Sequence, residues 1–309
     1  MENIEVLKHA LPYIRQYRDS TFIIKVGGEL LQADGFLDRL SHDVALLYQL
    51  NIRVVIIHGG GPQLSQMAEK IGIESVKVNG RRITDDRMIE VANMVFSGAS
   101  TDILGALRSH GTPAVGLSGV DGDLVQATRR PPVKLVDRET GEEKEVDFQN
   151  VGDIDVVDSK VLNVLLDNRF VPVVAPLGAD HAGNVLNINA DTIASMVSAA
   201  MPAEKLFLLT NVGGVLEDID DPSSRISYLT ESGAESLLAD GGVSGGMMPK
   251  LQSAVDAVRA GVKRAHIIDG LADNSLLFEV FTKKGTGTMV ISDSAESEYL
   301  EQGLSLIHI

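Results

Sequence analysis

Lys25 stands near the end of an apolar, β-branched run, TFIIKVGG at 21–28, that stops at a glycine pair. Such a run predicts a buried parallel strand, and open α/β sheets bind ligands just outside the carboxyl ends of their strands. A lysine there either meets an anionic ligand or snorkels to solvent beside a turn, and its type alone does not decide which. A second run, RVVIIHGGGPQ at 53–63, ends in Gly59, Gly60 and Gly61. Three missing side chains in succession let backbone N–H groups hold a negative oxygen at the start of a helix. His58 could move a proton, although a histidine at a strand end is more often a packed one. In NGRRITD, at 79–85, Arg81 or Arg82 offers a forked guanidinium to a carboxylate; the plainer alternative is a solvated loop. Farther on, Asn187, Asn189 and Asp191 alternate before a helix, so that Asp191 or Thr192 caps it while the other polar side chains face a cleft. An Asx-rich helix start is the competing explanation. Two glycine-rich loops, 211–216 and 241–247, are arranged as a nucleotide would need, yet neither GxxxxGK[ST] nor GxGxxG is present.

These residues need a sheet to carry them. At 309 residues the chain is long for one core and comfortable for two α/β lobes. Periodicity predicts helices at 3–18, 36–50, 86–109 and about 158–168, strands at PAVGL and 171–178, and an exposed hairpin over 124–150 around DRETGEEK. From 204 the alternation resumes with the strand KLFLLTNVGGVL, the helix LQSAVDAVRAG, the strand AHIIDG, the helix DNSLLFEVFT and the strand in GTGTMVIS. The expected fold is α/β, a three-layer αβα sandwich with a mostly parallel central sheet and two lobes. A hydrophobic content of 44% with only 4% aromatics and no Trp suits buried parallel strands.

Cysteine is absent, which excludes disulfides, thiolate metal sites and a cysteine nucleophile. The net charge of −16 argues against nucleic acid as a partner, so an anionic substrate needs local cations and N–H groups. No apolar run approaches the roughly 20 residues of a membrane helix, no signal-peptide core is present, and a cytoplasmic location is expected. The helix at 3–18 presents Ile4, Leu7, Leu11 and Ile14 as an apolar stripe that either packs back on its own domain or meets another subunit. The closing LSLIHI is apolar and aperiodic, as a disordered or non-native tail would be.

In order, KVGG, HGGGPQ, NGRRITD, GLSGVDG, NINADTIA, AEKLFLLTNVGGVL, GGMMPK and GTGTM resemble the acetylglutamate kinases of the amino acid kinase family over about residues 5 to 292. The resemblance implies an N-terminal oligomerisation helix (1–20), a substrate lobe for N-acetyl-L-glutamate (21–178), a nucleotide lobe for ATP with Mg²⁺ (179–294) and a tail (295–309). The γ-phosphoryl group would pass to the substrate's side-chain carboxylate, in arginine biosynthesis. By the same resemblance Lys25 and Lys250 stabilise the transferring group and Asp191 orients them. Gly28, Gly60 and Gly61 give backbone contacts, and Arg82 and Asn187 hold the α-carboxylate. Asn211, Val212, Gly213, Gly214, Val215 and Leu216, with Gly242, Val243, Ser244, Gly245, Gly246 and Met247, hold the nucleotide, while Mg²⁺ is held by the nucleotide and by no protein side chain. A homodimer joined into a hexamer through the N-terminal helix, with arginine as effector, is also implied.

The chain departs from that pattern at Val26, Glu29 and Leu30, around Ser100, Thr101 and Asp102, and at Leu271, Ala272 and Asp273, where arginine-inhibited members carry a basic motif. Two rivals stand beside the kinase: a sibling acting on a carrier-protein-linked aminoadipate, and a non-catalytic amino-acid-binding regulator of the same fold. NINAD and NGRRITD favour the small free substrate, and keeping Lys25, Asp191 and Lys250 together favours catalysis.

Overall fold

Alternation along the first strand decides which face each side chain serves. A computed structural model describes residues 2–136, 143–218, 221–243, 245–282, 285–297 and 299–300, with the backbone alone at 2–9 and 222. Helix α1 (Glu2–Tyr17) leads to β1 (Thr21–Val26), α2 (Phe36–Gln49), β2 (Arg53–His58), α3 (Gly61–Lys70) and the short hairpin β3 (Lys77–Val78) and β4 (Arg81–Arg82). The long α4 (Asp86–Ser109) precedes β5 (Ala114–Ser118), β6 (Val125–Arg129), β7 (Val133–Val136), β8 (Glu143–Val146) and β9 (Gly152–Val157). Then come α5 (Lys160–Asp167), β10 (Val171–Ala175), β11 (Leu177–Ala179), β12 (Val185–Asn187), α6 (Ala190–Ala200) and β13 (Lys205–Thr210). The chain closes with β14 (Tyr228–Thr230), α7 (Glu231–Ala239), α8 (Met247–Arg259), β15 (Arg264–Asp269), α9 (Ser275–Phe281) and β16 (Thr288–Ile291).

Among the described residues an eight-stranded sheet runs in the order β14-β16-β15-β13-β1-β2-β10-β5, and its only antiparallel pair is β15 with β16. β1 is thus bonded on one side to β2 and on the other to β13, with Ile23 opposite Leu206. Ile23, Val55, Leu206 and Ile267 face a layer that includes Ile193 and Val197 of α6 and Leu251 and Val255 of α8. Phe22, Ile24, Ile56 and Phe207 face the opposite layer, with Val44 of α2, Ile103 of α4 and Leu276 of α9. This is the expected αβα sandwich. Because side chains alternate, Lys25 shares its face with Ile23 and therefore points toward α6.

The hairpin expected over 124–150 is corrected. β6 pairs with β9 in a second sheet, β12-β11-β6-β9, burying Val125 and Ala127, and only β7 and β8 form the exposed hairpin. Residues 137–142 of its turn, Ser244 and the tail at 301–309 lie outside the described residues, as do the side chains of Ile4 and Leu7. The C-terminal end of α1 packs back on its own chain. Tyr17 is buried edge-on against Phe22, ring centroids 5.4 Å apart, while Leu11 is exposed.

Beneath Tyr17 lies a buried charged cluster. Lys205 Nζ sits 4.9 Å from the Tyr17 ring centroid, and burial, aided by Arg264, pulls its ammonium down to about 7 against Glu279 and Glu204. His266 Nδ1 lies 2.8 Å from Glu279 Oε1, and its Nε2 is buried without a partner. Burial and the Lys205 charge push His266 down to about 4, so the ring is neutral and donates from Nδ1. Burial works to raise Glu279, but the His266 bond and the Thr286 amide outweigh it and hold the carboxyl at about 2. Both groups therefore take up protons in the unfolded chain before the folded one as pH falls. Stability is expected to be lost from about 6.5 toward 4 through His266, and from about 4.5 toward 2 through Glu279. Thermal midpoints across pH 2–7 check this, with Glu279→Gln expected to flatten the acid leg.

Candidate active site

Lys25 reaches the carboxyl end of β1 on the α6 side and meets Asp191 Oδ1 at 2.7 Å, both residues buried. The ammonium approaches outside hydrogen-bond angles, since Oδ1 has no directed partner, so the contact is an ion pair. Asp191 is free to make it because Asn189, not Asp191 or Thr192, caps α6. The Asn189 side chain accepts from the Asp191 and Thr192 amides at 2.8 and 3.1 Å. That corrects the expected cap and leaves the Asp191 carboxylate in the first turn, where the helix dipole favours it.

Lys250 comes from the other half of the sheet. It lies in the first turn of α8, not in a loop, because that helix begins at Met247 and tolerates Pro249 near its N-terminus. Its Nζ donates to the Gly246 carbonyl at 3.2 Å. Burial lowers its ammonium, Asp191 and Glu29 raise it, and Lys25 lowers it. Residues 25, 29, 191 and 250 therefore share one electrostatic neighbourhood.

The glycine junctions after β1 and β2 pack back to back. The Gly59 amide donates to the Val26 carbonyl at 2.8 Å, and Gln63 Nε2 donates to the Gly28 carbonyl at 2.8 Å. A Cβ on Gly28 would stand 2.8 Å from Pro62 Cδ, and one on Gly60 would stand 2.6 Å from the Phe96 ring, so neither position has room for a side chain. His58 is structural: its buried ring bridges the Gly59 carbonyl and Ser100 Oγ at 2.8 and 2.7 Å, and burial lowers its basicity.

Arg82 is the buried member of the arginine pair, and Arg81 is exposed. Its guanidinium donates to the Gly61 carbonyl at 2.9 Å, to Ser65 Oγ at 2.7 Å and to Ser75 Oγ, and burial pulls it below its ordinary value. Among the described residues it has no carboxylate partner, an arrangement that invites an anion. Asn187 Nδ2 donates to Thr84 Oγ1 at 3.2 Å, and its amide to the Asn150 carbonyl, so it adjoins the segment that carries Arg82. A cavity of about 440 Å³ beside the two serines has Glu69, Glu74 and Lys77 in its wall.

Of the two glycine-rich loops, Asn211 and Val212 are exposed, whereas the side chains of Val215 and Val243 belong to the core and leave only backbone to a ligand. Leu216 bridges to Arg225. The Gly242 amide is taken by the Leu237 carbonyl, Gly245 has a positive φ of 59°, and Gly246 and Met247 open α8, whose first-turn N–H groups favour anions. Gln63 and Thr84 lay inside the motifs HGGGPQ and NGRRITD without a role, and Ser100 stood only as a departure, since nothing in their types names their partners. Two cations, one carboxylate and the backbone N–H groups of the glycine junctions can gather two anions and neutralise charge passing between them.

The profile of the amino acid kinase family matches residues 20–269. An acetylglutamate kinase of Methanothermobacter thermautotrophicus is 42% identical over 291 residues, covering 94% of this chain and 99% of that one. The N-acetylglutamate synthase of Neisseria gonorrhoeae, solved with coenzyme A and N-acetyl-glutamate, superposes with a TM-score of 0.80 at 30% identity. That match covers 94% of this chain, which spans 63% of the synthase. The same synthase solved with coenzyme A and L-arginine superposes at 0.76 with 28% identity, covering 94% of this chain and 65% of that one.

Proposed function

The chain belongs to the amino acid kinase family, and from that premise we propose that it transfers the γ-phosphoryl group of ATP to the side-chain carboxylate of N-acetyl-L-glutamate, giving N-acetyl-γ-glutamyl phosphate in arginine biosynthesis. The observation that carries this is the buried Lys25–Asp191 ion pair at the carboxyl end of β1, with Lys250, distant in sequence, in the same electrostatic neighbourhood. The acyl amino acid belongs to the half of the chain at 21–178 and the nucleotide to 179–294. A carboxylate is already a nucleophile, so no general base is required, and catalysis reduces to positioning and neutralisation. Lys25 and Lys250 meet the charge that develops on the transferring group, Asp191 holds Lys25 in place, and the amides at Gly28, Gly60 and Gly61 orient the reacting oxygens. The amides of Asn211–Leu216 and Gly242–Met247 cradle the nucleotide. Mg²⁺ would come with the nucleotide, which holds it, and would offset part of its charge.

A coupled ADP-release assay across N-acetylglutamate, glutamate, aspartate and carbamate tests the proposal. Turnover with N-acetylglutamate alone is expected, and turnover with none of the four would sink it. Arg82→Lys should raise KM for the acyl amino acid by roughly tenfold and leave kcat nearly unchanged, because a point charge cannot reproduce a two-pronged carboxylate contact. A rise in nucleotide KM instead would show that Arg82 serves the other substrate.

Assembly belongs to the same proposal. Leu11 is exposed on α1, and a second copy of that helix covering it would join dimers into a larger ring responsive to arginine. Light scattering of the full chain against one beginning at Ser20 decides it, since an unchanged mass on truncation would remove α1 from the contact. With Leu271, Ala272 and Asp273 in place of a basic motif, arginine inhibition is expected to be weak.

A further inference from the structure

Glu279 is a buried carboxylate that the proposed reaction does not use. Its Oε2 accepts the amides of Thr286 at 2.5 Å and Gly287 at 3.2 Å, while Oε1 takes the bond from His266. One charge thus holds the segment 285–288 from below. At the end of that segment the fully buried Thr288 hydroxyl donates to the Ile226 carbonyl at 2.6 Å and accepts the Val215 amide at 2.8 Å. Gly214, at φ 120°, lies so close that a Cβ there would stand 2.6 Å from Thr288 Oγ1. Two hydroxyls hold the amides of the loop at 211–216: Thr210, which accepts the Val212 amide at 2.9 Å, and Thr288 at its turn, while the Ile226 amide and the bridge to Arg225 hold its far end. Its outer residues, Asn211 and Val212, are exposed.

We propose that Glu279 and Thr288 are positioning residues for the nucleotide: the carboxylate fixes the segment 285–288, and the Thr288 hydroxyl fixes the turn at Gly214–Val215 against which the nucleotide lies. The inference rests on the assignment of 211–216 to the nucleotide under the proposed function. Thr288→Val keeps the shape of the side chain and removes both bonds, leaving the Val215 amide buried and unpaired, so the turn must shift to find a partner. Thr288→Ser keeps the hydroxyl.

The test is steady-state kinetics on the full chain, together with direct titration by a fluorescent ATP analogue. Thr288→Val is expected to raise KM for ATP roughly 5- to 10-fold and weaken analogue binding in proportion, with kcat and KM for the acyl amino acid within about twofold. Thr288→Ser should restore both. Glu279→Gln should shift the nucleotide KM in the same direction, and it keeps the proposal open to test if the valine variant does not fold. A merely structural role would lower active fraction without altering either KM, and that result overturns the proposal. Val212→Asp separates the two layers of the argument. If it raises nucleotide KM while Thr288→Val and Glu279→Gln do not, the positioning fails and the loop assignment stands. If it leaves nucleotide KM unchanged, the loop assignment fails and takes the positioning with it.

Discussion

Lys250→Ala is expected to lower kcat by at least about 10²-fold while the thermal midpoint scarcely moves, because the variant removes charge stabilisation made mainly in the transition state. The two effects separate because of where the side chain sits. Lys250 is only partly buried and its hydrogen bond goes to the Gly246 carbonyl at the start of its own helix, so no packed side chain loses its complement. Its ammonium lies within reach of the charges on Asp191, Lys25 and Glu29, where a transferring phosphoryl group would be received. Lys25→Ala should reduce turnover as far, and it should also destabilise by stranding Asp191. A folded Lys250→Ala protein with near-normal turnover in the ADP-release assay would remove Lys250 from the chemistry.

Asp191→Asn is expected to cost stability and activity together. Lys25 and Asp191 are 5% and 6% exposed, and taking one charge from a buried pair typically costs about 3–5 kcal/mol because the other is left uncompensated. Urea titration should show the loss, and kcat should fall by roughly 10²-fold as Lys25 loses its alignment. The double variant Lys25→Met with Asp191→Leu discriminates the causes. It should regain most of the stability, since neither charge is then stranded, yet stay inactive. Losses that simply add would mean that the two residues do not act as a pair.

Much of this was legible in the residues. The β-branched runs ending in glycine placed β1, β2 and their junctions, because a buried parallel strand needs both features at once. The helix at 86–109 followed from its apolar period, and the structure adds its cap, Asp85, which accepts the Met88 amide. Other features were not legible, for physical reasons. In NINAD three Asx residues could each cap a helix, and only the extended backbone at Asn189 selects it over Asp191. GDIDVV at 152–157 carries two aspartates that tertiary pairing with β6 overrides, so β9 and the second sheet were missed. Pro249 read as a loop residue, although an N-terminal turn accepts proline and draws Lys250 onto the helix. Arg82 differed from Arg81 only by strand parity, which two residues of hairpin cannot reveal.

The place of β1 in the sheet also governs how the chain can be made. β1 emerges among the first segments, yet one of its two neighbours, β13, lies on the order of 180 residues later. Until that partner is synthesised, Phe22–Val26 shows one bare hydrogen-bonding edge, apolar apart from Lys25. Such an edge is a template for unwanted strand pairing, and loop closure over so long a span is slow. Translation that stalls before residue 205 is therefore expected to yield an aggregating fragment, and a chaperone that shields β1 during that interval should raise the yield of folded protein.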